Sequence, residues 1–413
     1  MHPHDRELLA RDRALPGLGL VLSPAELLAA LKDALPEHTL GDPRLAYLRY
    51  KPRTNCLAAY ALLLDGAPTF IHATAHRADA PEKLRNAREK RRGESPLAPL
   101  VLPPRVTVRA FPTDRKLRAL RCVADAPARR RLLREALPEH PELWGAGLEV
   151  LRYKPERRLV ARLRAAGGGS ALLKLYHKGD FGRAQAGAEA FARGTLPSAP
   201  LLGVHPEGRV LIWRWLDGRP GDTLLENPAQ SAALGRALAA LHAQPAETAL
   251  PVTRADEGGP LRAAAESVAY LLPELGARAR ALAASLAAQL RAAPPLRRTV
   301  HGDFSLDQVV VREGGVAIID ADTAALGDPA WDFGTLSAQL ERAVIRGDLA
   351  AADVRAVCEP LAAGYADRAR LPERTALYTA AGLLRLAPHA FRTRKPAWPD
   401  ETRALIARAE AFS

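Results

Sequence analysis

The sequence predicts an α+β protein in which two strand-rich segments precede a mostly helical second half. Strand-forming sequence dominates from about residue 45 to 112 and again from about 147 to 217. From about residue 222 the pattern is mostly helical and is interrupted by strands around residues 300–320. The chain has 413 residues, of which 48% are hydrophobic and 25% are charged, and these values are typical of a globular protein with two or three domains.

Helical sequence flanks the first strand-rich segment. Near the start, "SPAELLAALKDALPEH" predicts a short helix with Ser23 as its N-cap and Pro24 in its first turn. Between the two strand-rich segments, the arginine-rich stretch "DAPARRRLLREALPEHPELW" predicts a helical connection.

The two strand-rich segments resemble each other. The pentapeptide "LRYKP" occurs at Leu48–Pro52 and again at Leu151–Pro155, and the surrounding sequences align at an offset near 103 residues. In that alignment Lys174 of the second copy corresponds to His72 of the first. Chance similarity between two hairpins of biased composition is the alternative. The pentapeptide and the nearly constant offset favour a duplicated small β-rich unit.

Composition excludes several classes of function. The net charge is +13 and the pI about 10.0, but the basic residues are dispersed and aromatic residues make up 5%, so we expect no nucleic-acid partner. No apolar run has the length of a membrane span, and the charged start lacks the apolar core of a secretory signal. The three cysteines are scattered and lack metal-ligand spacing, which favours a reducing, cytoplasmic location and argues against a zinc site.

The first chemically informative pair is a lysine on a strand and a glutamate on the next helix. Lys174 lies in the apolar strand "ALLKLY", and Glu189 follows fifteen residues later in a helical pattern. A lysine inside a strand is costly unless its ammonium has partners, which a glutamate and the phosphates of a ligand would supply. The alternative is a lysine on an edge strand that extends its ammonium into solvent.

Two acidic motifs follow. In "HGDFSLDQ", Asp303 precedes Gln308 by five residues, just before an apolar strand. A carboxylate there can accept a proton from a hydroxyl, and an amide oxygen five residues later can reach a metal. In "VAIIDADTAALGDPAWDFG", Asp320 closes a buried strand, and Asp322 points the same way by strand alternation. Turn residues or helix caps are the alternative for each acid.

In this order along the chain, these residues resemble the aminoglycoside phosphotransferase and choline kinase superfamily, whose fold is that of the protein kinases. The resemblance covers about residues 147–340 and is strongest in "HGDFSLDQ" and "IIDADTAALGDPAWDFG". That family has His-x-Asp with an Asn five residues after the Asp, then a metal-binding aspartate and a Gly-Asp-Pro-x-x-Asp run. The resemblance implies a two-lobed protein-kinase-like fold, with a β-rich small lobe and a helical large lobe.

The resemblance also implies ATP- and Mg²⁺-dependent transfer of a phosphoryl group to a hydroxyl of a small molecule. Asp303 would be the catalytic base, and Gln308 and Asp320 would bind Mg²⁺. Lys174 would contact the α- and β-phosphates and would be positioned by Glu189. These roles supply the positioning and charge neutralisation that phosphoryl transfer requires.

Further roles follow from the same resemblance. Asp322 would be a second metal contact or a polar neighbour of the metal. His301 would organise the loop, and Asp332 would cap the following helix and brace the loop. The adenine would meet backbone groups of Arg214, Trp215 and Leu216.

The sequence departs from the family pattern at two places. Gln308 replaces the usual Asn, as in bacterial maltokinases, and this similarity favours a sugar or sugar derivative as acceptor. The hairpin expected to cover the phosphates, "YKPERRLVARL", contains no glycine motif, and Arg157 and Arg158 stand where its turn is expected. These two arginines would contact the phosphates by charge.

The resemblance divides the chain into a small lobe at residues 146–217 and a helical catalytic and substrate lobe at residues 218–413. Residues 1–145 are then expected to form an N-terminal cap domain, a degenerate small-lobe-like repeat, because the first copy lacks the lysine and a catalytic loop. Such a cap could close over the acceptor or form a homodimer. Maltokinase-like proteins also carry an N-terminal cap.

Two alternatives compete with a small-molecule kinase. The glycine-poor hairpin and the degenerate copy would suit a pseudokinase-like binding or scaffold protein. A protein kinase is disfavoured, because the segment after Asp320 has no room for an activation segment. In the tail, an aromatic and guanidinium set could bind a sugar or an anion or simply pack against the helical lobe; its members are Phe391, Arg392, Arg394 and Trp398.

Overall fold

The computed structural model describes residues 3–89, 99–192, 196–245, 250–252 and 258–413. The helices are α1 Pro3–Arg11, α2 Leu18–Leu22, α3 Pro24–Ala34, α4 Pro81–Glu89, α5 Leu120–Ala124, α6 Ala126–Ala136, α7 Lys178–Ala192, α8 Pro228–Ala243, α9 Gly259–Leu271, α10 Gly276–Ala292, α11 Ala330–Ile345, α12 Ala351–Ala366, α13 Thr375–Leu386, α14 His389–Thr393 and α15 Trp398–Ala411. The strands are β1 Arg44–Lys51, β2 Asn55–Leu64, β3 Ala67–His76, β4 Leu100–Leu102, β5 Val106–Ala110, β6 Gly147–Lys154, β7 Arg158–Arg164, β8 Ser170–Tyr176, β9 Leu201–His205, β10 Val210–Arg214, β11 Arg219–Pro220, β12 Arg298–Val300, β13 Val309–Arg312, β14 Gly315–Ile318 and β15 Ala325–Gly327.

The chain divides into two compact units. The first comprises Met1–Lys178 and Val204–Leu211, and the second comprises Gly179–Gly203 and Ile212–Ser413. The first unit contains the strands that carry the internal repeat, and the second contains α8 to α15 and the short strands around residue 310. None of the described helices is long and apolar enough to cross a membrane.

The two large sheets have the same topology. The first has the strand order β1-β2-β3-β5-β4 and the second β6-β7-β8-β10-β9. Their first hairpins also share a register: Lys51 pairs with Asn55, and Lys154 pairs with Arg158, each at an offset of 103 residues. The structure therefore supports the duplication that the repeated pentapeptide predicts.

Each copy braces its first hairpin with an aspartate that lies before the sheet. Asp12 accepts a hydrogen bond from the Tyr50 hydroxyl at 2.6 Å, and Asp114 accepts one from the Tyr153 hydroxyl at 2.9 Å. Each aspartate also accepts the backbone N–H of the turn residue three positions after its tyrosine, at 3.0 Å and 2.8 Å. The tyrosine of the repeated pentapeptide is thus one half of a structural brace, present in both copies.

A helix pair precedes each sheet. The Ser23 side chain accepts the Glu26 N–H at the start of α3, and the Asp125 side chain accepts the Ala128 N–H at the start of α6. The helix α3 begins as the sequence predicts, and α6 lies in the predicted helical connection. In both, a hydroxyl or carboxylate at the N-cap satisfies a backbone donor that has no partner inside the helix.

The register of the third strand corrects one detail of the repeat alignment. Leu57 pairs with Thr74 in the first sheet, and Val160 pairs with Lys174 in the second. Leu57 and Val160 are 103 residues apart, whereas Thr74 and Lys174 are 100 residues apart, because the second hairpin is three residues shorter. The position equivalent to Lys174 is therefore Thr74 and not His72.

In the second unit, glycines allow pairs of helices to approach closely. A Cβ at Gly235 of α8 would lie 2.0 Å from the Leu361 carbonyl oxygen on α12, and a Cβ at Gly334 of α11 would lie 2.4 Å from the Tyr378 Cβ on α13. Two short antiparallel pairs, β13 with β14 and β12 with β15, lie beside this helical core. The loops at the ends of these strands carry the candidate site.

Candidate active site

A loop between β12 and β13 presents an exposed carboxylate on a buried framework. Phe304 is fully buried, whereas Asp303 is exposed. The loop is held by Asp332, which is fully buried in the first turn of α11. Its Oδ2 accepts the His301 N–H at 2.7 Å, and its Oδ1 accepts the Gly302 N–H at 2.8 Å. These two bonds fix the backbone directly before Asp303.

The charge of Asp332 has a second buried partner. The Nε2 atom of His242 lies 3.0 Å from Oδ2 of Asp332 and must carry a proton, because an ionised carboxylate can only accept. The Nδ1 atom of His242 lies 2.9 Å from the Tyr365 hydroxyl. Burial alone raises the pKa of the Asp332 carboxyl, but the hydrogen bond and charge of His242, the charge of His301 and the His301 N–H outweigh it and lower that pKa. Asp332 is therefore a stable anion in the core.

His301 and Gly302 have structural reasons for their positions in the motif. His301 is fully buried, and its Nε2 atom lies 2.8 Å from the Ile319 carbonyl oxygen, which ties the loop to the end of the neighbouring hairpin. Gly302 has a φ of +81°, and a Cβ there would lie 2.4 Å from the Thr323 carbonyl oxygen. The expectation that His301 organises the loop agrees with these contacts. Asp332 braces the loop as expected, but it does not cap α11, whose N-cap, Pro329, provides no side-chain bond.

Gln308 and Asp320 lie at the paired ends of β13 and β14. The Ile319 N–H donates to the Gln308 carbonyl oxygen at 2.9 Å, one step beyond the Val309–Ile318 pair. Asp320 is left-handed, with a φ of 66°, and a turn of 3-10 helix over residues 321–323 follows it. Strand alternation therefore does not set the direction of Asp322, which is 8% exposed. An amide oxygen and a carboxylate on adjacent chain segments are hard oxygen donors that suit Mg²⁺.

The described residues contain no group of three or more histidine, cysteine or acidic side chains arranged to hold a metal. Mg²⁺ usually takes one or two protein ligands together with substrate phosphates and waters, and not a cage of protein groups. The pair of donors at Gln308 and Asp320 fits that mode of binding.

The helix that carries Glu189 packs against the Asp320 segment. A Cβ at Gly187 of α7 would lie 2.1 Å from the Ala321 carbonyl oxygen, so only glycine permits this approach. Glu189 is partly buried two residues further along α7 and accepts a hydrogen bond from Gln185 at 2.9 Å. The structure thus brings the predicted glutamate helix and the predicted metal segment together within the second unit.

In the first unit, Lys174 is 4% exposed and lies in the centre of β8. The alternative of an edge lysine is wrong, because β8 pairs with β7 on one side and neighbours β10 on the other. Arg157 lies in the turn of the covering hairpin and is exposed, whereas Arg158 is the first residue of β7.

The residue at the tip of this hairpin is Glu156, which has a φ of 62°. Its carboxylate lies 2.8 Å from Arg49, 3.1 Å from Arg115 and 3.1 Å from Lys116. Burial raises the pKa of Glu156, but these three cations outweigh burial and lower it to about 2. Ion pairs of Glu156 therefore stabilise this turn, which lacks the glycines of a glycine-rich phosphate-binding loop.

The predicted adenine segment follows β10. The Arg214 N–H donates to the Pro200 carbonyl oxygen at 2.9 Å and is thus occupied, and the Trp215 indole donates to Asp217 at 3.1 Å. Leu216 lies outside the strands, and its backbone makes no hydrogen bond to another described residue. Leu216 is therefore the member of this segment whose backbone groups remain available.

For the two aromatic residues of the tail set, the structure supports the second alternative, packing within the helical unit. Trp398 and Phe391 are each 1% exposed and stack edge to face at 5.1 Å, so these two pack in the core. A different set adjoins the catalytic loop: Trp331 donates its indole N–H to the Gly302 carbonyl oxygen at 3.1 Å, and the Arg385 guanidinium lies 5.4 Å from the Trp331 ring. Arg385 stands alone in the apolar helical stretch "AAGLLRLA", and this isolated charge is the sequence feature that could have indicated it.

Comparison with known proteins gives the family. The family model described as the phosphotransferase enzyme family matches residues 148–373, which is more than half of the chain. The chain belongs to this phosphotransferase family. Membership makes it a phosphotransferase of the kind that acts on small molecules. The match begins after the first copy of the repeat. No curated protein matches the chain significantly by sequence.

The chain is also similar to solved structures. A choline kinase from Streptococcus pneumoniae is 13% identical over 68% of this chain and 98% of its own, with a TM-score of 0.50. A choline/ethanolamine kinase family protein from Mesorhizobium loti is 20% identical over 69% of this chain and 93% of its own, with a TM-score of 0.46. A macrolide 2'-phosphotransferase from Brachybacterium faecium is 20% identical over 64% of this chain and 91% of its own, with a TM-score of 0.43. The predicted two-lobed, protein-kinase-like fold is confirmed.

Proposed function

We propose that this phosphotransferase transfers the γ-phosphoryl group of ATP, with Mg²⁺, to a hydroxyl of a sugar or sugar derivative in the cytoplasm. The observation that carries the proposal is the loop at Asp303. A buried anion, Asp332, holds the backbone before an exposed carboxylate, and two oxygen donors, Gln308 and Asp320, stand on the adjoining hairpin. This arrangement suits a hydroxyl-orienting base beside a metal-bound phosphate.

Each residue has a role in the proposal. Asp303 accepts or orients the proton of the acceptor hydroxyl, because it is the exposed acid on the rigid loop. Gln308 and Asp320 are the ligands of Mg²⁺, which neutralises charge on the phosphates, and Asp322 is a further ligand or a neighbour of the metal. Lys174 binds the α- and β-phosphates, and Glu189 positions it.

The remaining nucleotide contacts are assigned to the covering hairpin and to the segment after β10. Arg157 and Arg158 contact phosphates by charge, and the available backbone groups of Leu216, beside Arg214 and Trp215, contact the adenine. We assign residues 146–217 to the small lobe and residues 218–413 to the catalytic lobe. Residues 1–145, which lie outside the family match, are assigned to a cap that closes over the acceptor or forms a homodimer.

One observation favours a second candidate, a pseudokinase-like binding protein. Glu156 places a carboxylate at the tip of the hairpin that would cover the phosphates, and Arg49, Arg115 and Lys116 are committed to it. An anion there disfavours the close approach of a triphosphate. A protein of this kind would bind nucleotide weakly and would not turn it over.

The test is thermal unfolding with ATP and Mg²⁺, combined with ADP release in the presence of sugars. Ligand that binds the native state raises the melting temperature as its concentration exceeds the dissociation constant. We expect a rise in the wild type that shrinks in Asp320→Asn and in Lys174→Thr, and acceptor-dependent ADP release that is lost in Asp303→Asn. Threonine is the matched replacement at Lys174, because Thr74 occupies that register in the first sheet. A rise in melting temperature without turnover of any acceptor would favour the pseudokinase.

A further inference from the structure

An arginine of α13 lies beside the catalytic loop and has no part in the proposed phosphate chemistry. The guanidinium carbon of Arg385 lies 5.4 Å from the centre of the Trp331 ring. The Tyr378 ring lies 6.0 Å from the same indole at an interplanar angle of 38°. The close approach of α11 and α13 at Gly334 fixes these three side chains relative to one another.

Trp331 connects this group to Asp303. Its indole N–H donates to the Gly302 carbonyl oxygen at 3.1 Å, and Gly302 directly precedes Asp303. Electrostatics agree with this proximity: burial lowers the pKa of the Arg385 guanidinium, and the charge of Asp303 opposes that shift. The arginine and the proposed catalytic carboxylate therefore share one local environment.

Arg385 is available to a ligand. Within the part of the chain that the structure describes, it forms no salt bridge and no hydrogen bond, and its one direct contact of this kind is the Trp331 ring. Its side chain is open to solvent, and burial by the surrounding protein lowers the pKa of its guanidinium. A stacked guanidinium presents a planar fork of donors whose geometry matches a carboxylate or a phosphate.

We propose that Arg385 determines acceptor specificity by binding an anionic group, a carboxylate or a phosphate, on a small molecule whose hydroxyl lies at Asp303. The inference rests on the proposed function and narrows its acceptor class from sugars in general to acidic sugars and similar hydroxylated anions. A cationic acceptor is disfavoured, because its charge would lie beside a guanidinium that forms no salt bridge with any described residue. The net charge of +13 also favours the approach of an anion.

The test compares ligands that differ mainly in charge: D-glucuronate, D-glucose 6-phosphate, D-glucose and D-glucosamine. Each is added at equal millimolar concentration to the full-length wild type, Arg385→Gln, Arg385→Lys and Arg355→Gln, and the melting temperature is measured without nucleotide. We expect at least one anion to raise the melting temperature of the wild type and of Arg355→Gln, an exposed arginine on α12. The rise should disappear in Arg385→Gln and persist in part in Arg385→Lys. The response to carboxylate or to phosphate identifies the group bound.

Turnover gives a second, independent measurement. For any acceptor pair that is phosphorylated, the ratio of kcat/KM for the anion to that for the neutral sugar should fall by about 10- to 100-fold in Arg385→Gln, mainly through KM. The inference is overturned if no anion stabilises the wild type, if glucose or glucosamine stabilises it as well as the anions, or if Arg385→Gln lowers turnover of every acceptor equally. The last result would assign Arg385 to the transferred phosphate. Failure of the proposed function is recognised separately, by the absence of any effect of Mg²⁺ and ATP on the wild type.

Discussion

Replacement of Asp332 tests the framework of the candidate site. Three donors converge on its fully buried carboxylate at 2.7, 2.8 and 3.0 Å: the N–H groups of His301 and Gly302 and the His242 ring. Asp332→Ala leaves all three without an acceptor, and breaking a buried charged group of this kind costs about 3–5 kcal/mol. Asp332→Asn keeps one oxygen but turns an NH₂ group toward a donor, so we expect the free energy of unfolding to fall by about 2–3 kcal/mol.

The assay is urea unfolding of the full chain followed by tryptophan fluorescence, with amide hydrogen exchange at the catalytic loop as a local measurement. Asp367→Asn is the matched control, because Asp367 forms an exposed pair with Arg236 at 3.3 Å that contributes at most about 1 kcal/mol. The pKa of Asp332 is lower in the folded state than in the unfolded state. Its contribution to stability is therefore present above the unfolded-state pKa of about 4 and is lost as the pH falls through the folded-state pKa. If Asp332→Asn matched the control in both stability and exchange, the bracing role would be refuted.

Three further changes test other parts of the structure. Gly187→Ala should destabilise the second unit by about 1–3 kcal/mol, because the new Cβ would lie 2.1 Å from a carbonyl oxygen. It should also reduce the thermal shift with Mg²⁺ and ATP. The control, Gly182→Ala on the same helix, has open space around its Cβ and should have neither effect. Burial lowers the pKa of His72 to about 4, so the unfolded chain takes up a proton first. The free energy of unfolding measured with urea should fall between pH 7 and 5 by about 2 kcal/mol more in the wild type than in His72→Gln. Glu156→Gln should lower the free energy of unfolding by about 3 kcal/mol at neutral pH, because Arg49 and two other cations lose their partner. An unchanged urea midpoint would refute a stabilising role for these ion pairs.

The elements of the candidate site could be predicted from the sequence because the motifs are local. The polar groups of "HGDFSLDQ" stand next to an apolar strand, and the structure places β13 there and β14 in the hairpin that leads to Asp320. Ser23 predicts the start of α3 for a similar reason, since a cap needs only its own first turn. In each case the relevant interaction spans a few residues.

What could not be predicted depends on contacts between distant parts of the chain. His242 and Tyr365 lie 90 and 33 residues from Asp332 and have no motif of their own. The sequence leaves open whether the tail aromatics bind a ligand or pack in the core, because their burial is set by the packing of α13 to α15. The assignment of Lys174 to His72 was wrong because a hairpin three residues shorter shifts the third strand, a change that no residue type reveals.

Comparison of the two copies of the β-rich unit distinguishes residues that the fold requires from a residue that the proposed chemistry requires. Both retain the aspartate and tyrosine pair that braces the first hairpin, at 2.6 and 2.9 Å. They differ at the third strand, where Lys174 of the second copy is replaced by Thr74 in the first. A partly buried threonine can share the hydrogen bonds of a strand, whereas the buried ammonium of Lys174 requires anionic partners. Since the same sheet topology forms with either residue, the topology does not depend on the lysine, and the proposed binding of phosphates would account for its presence.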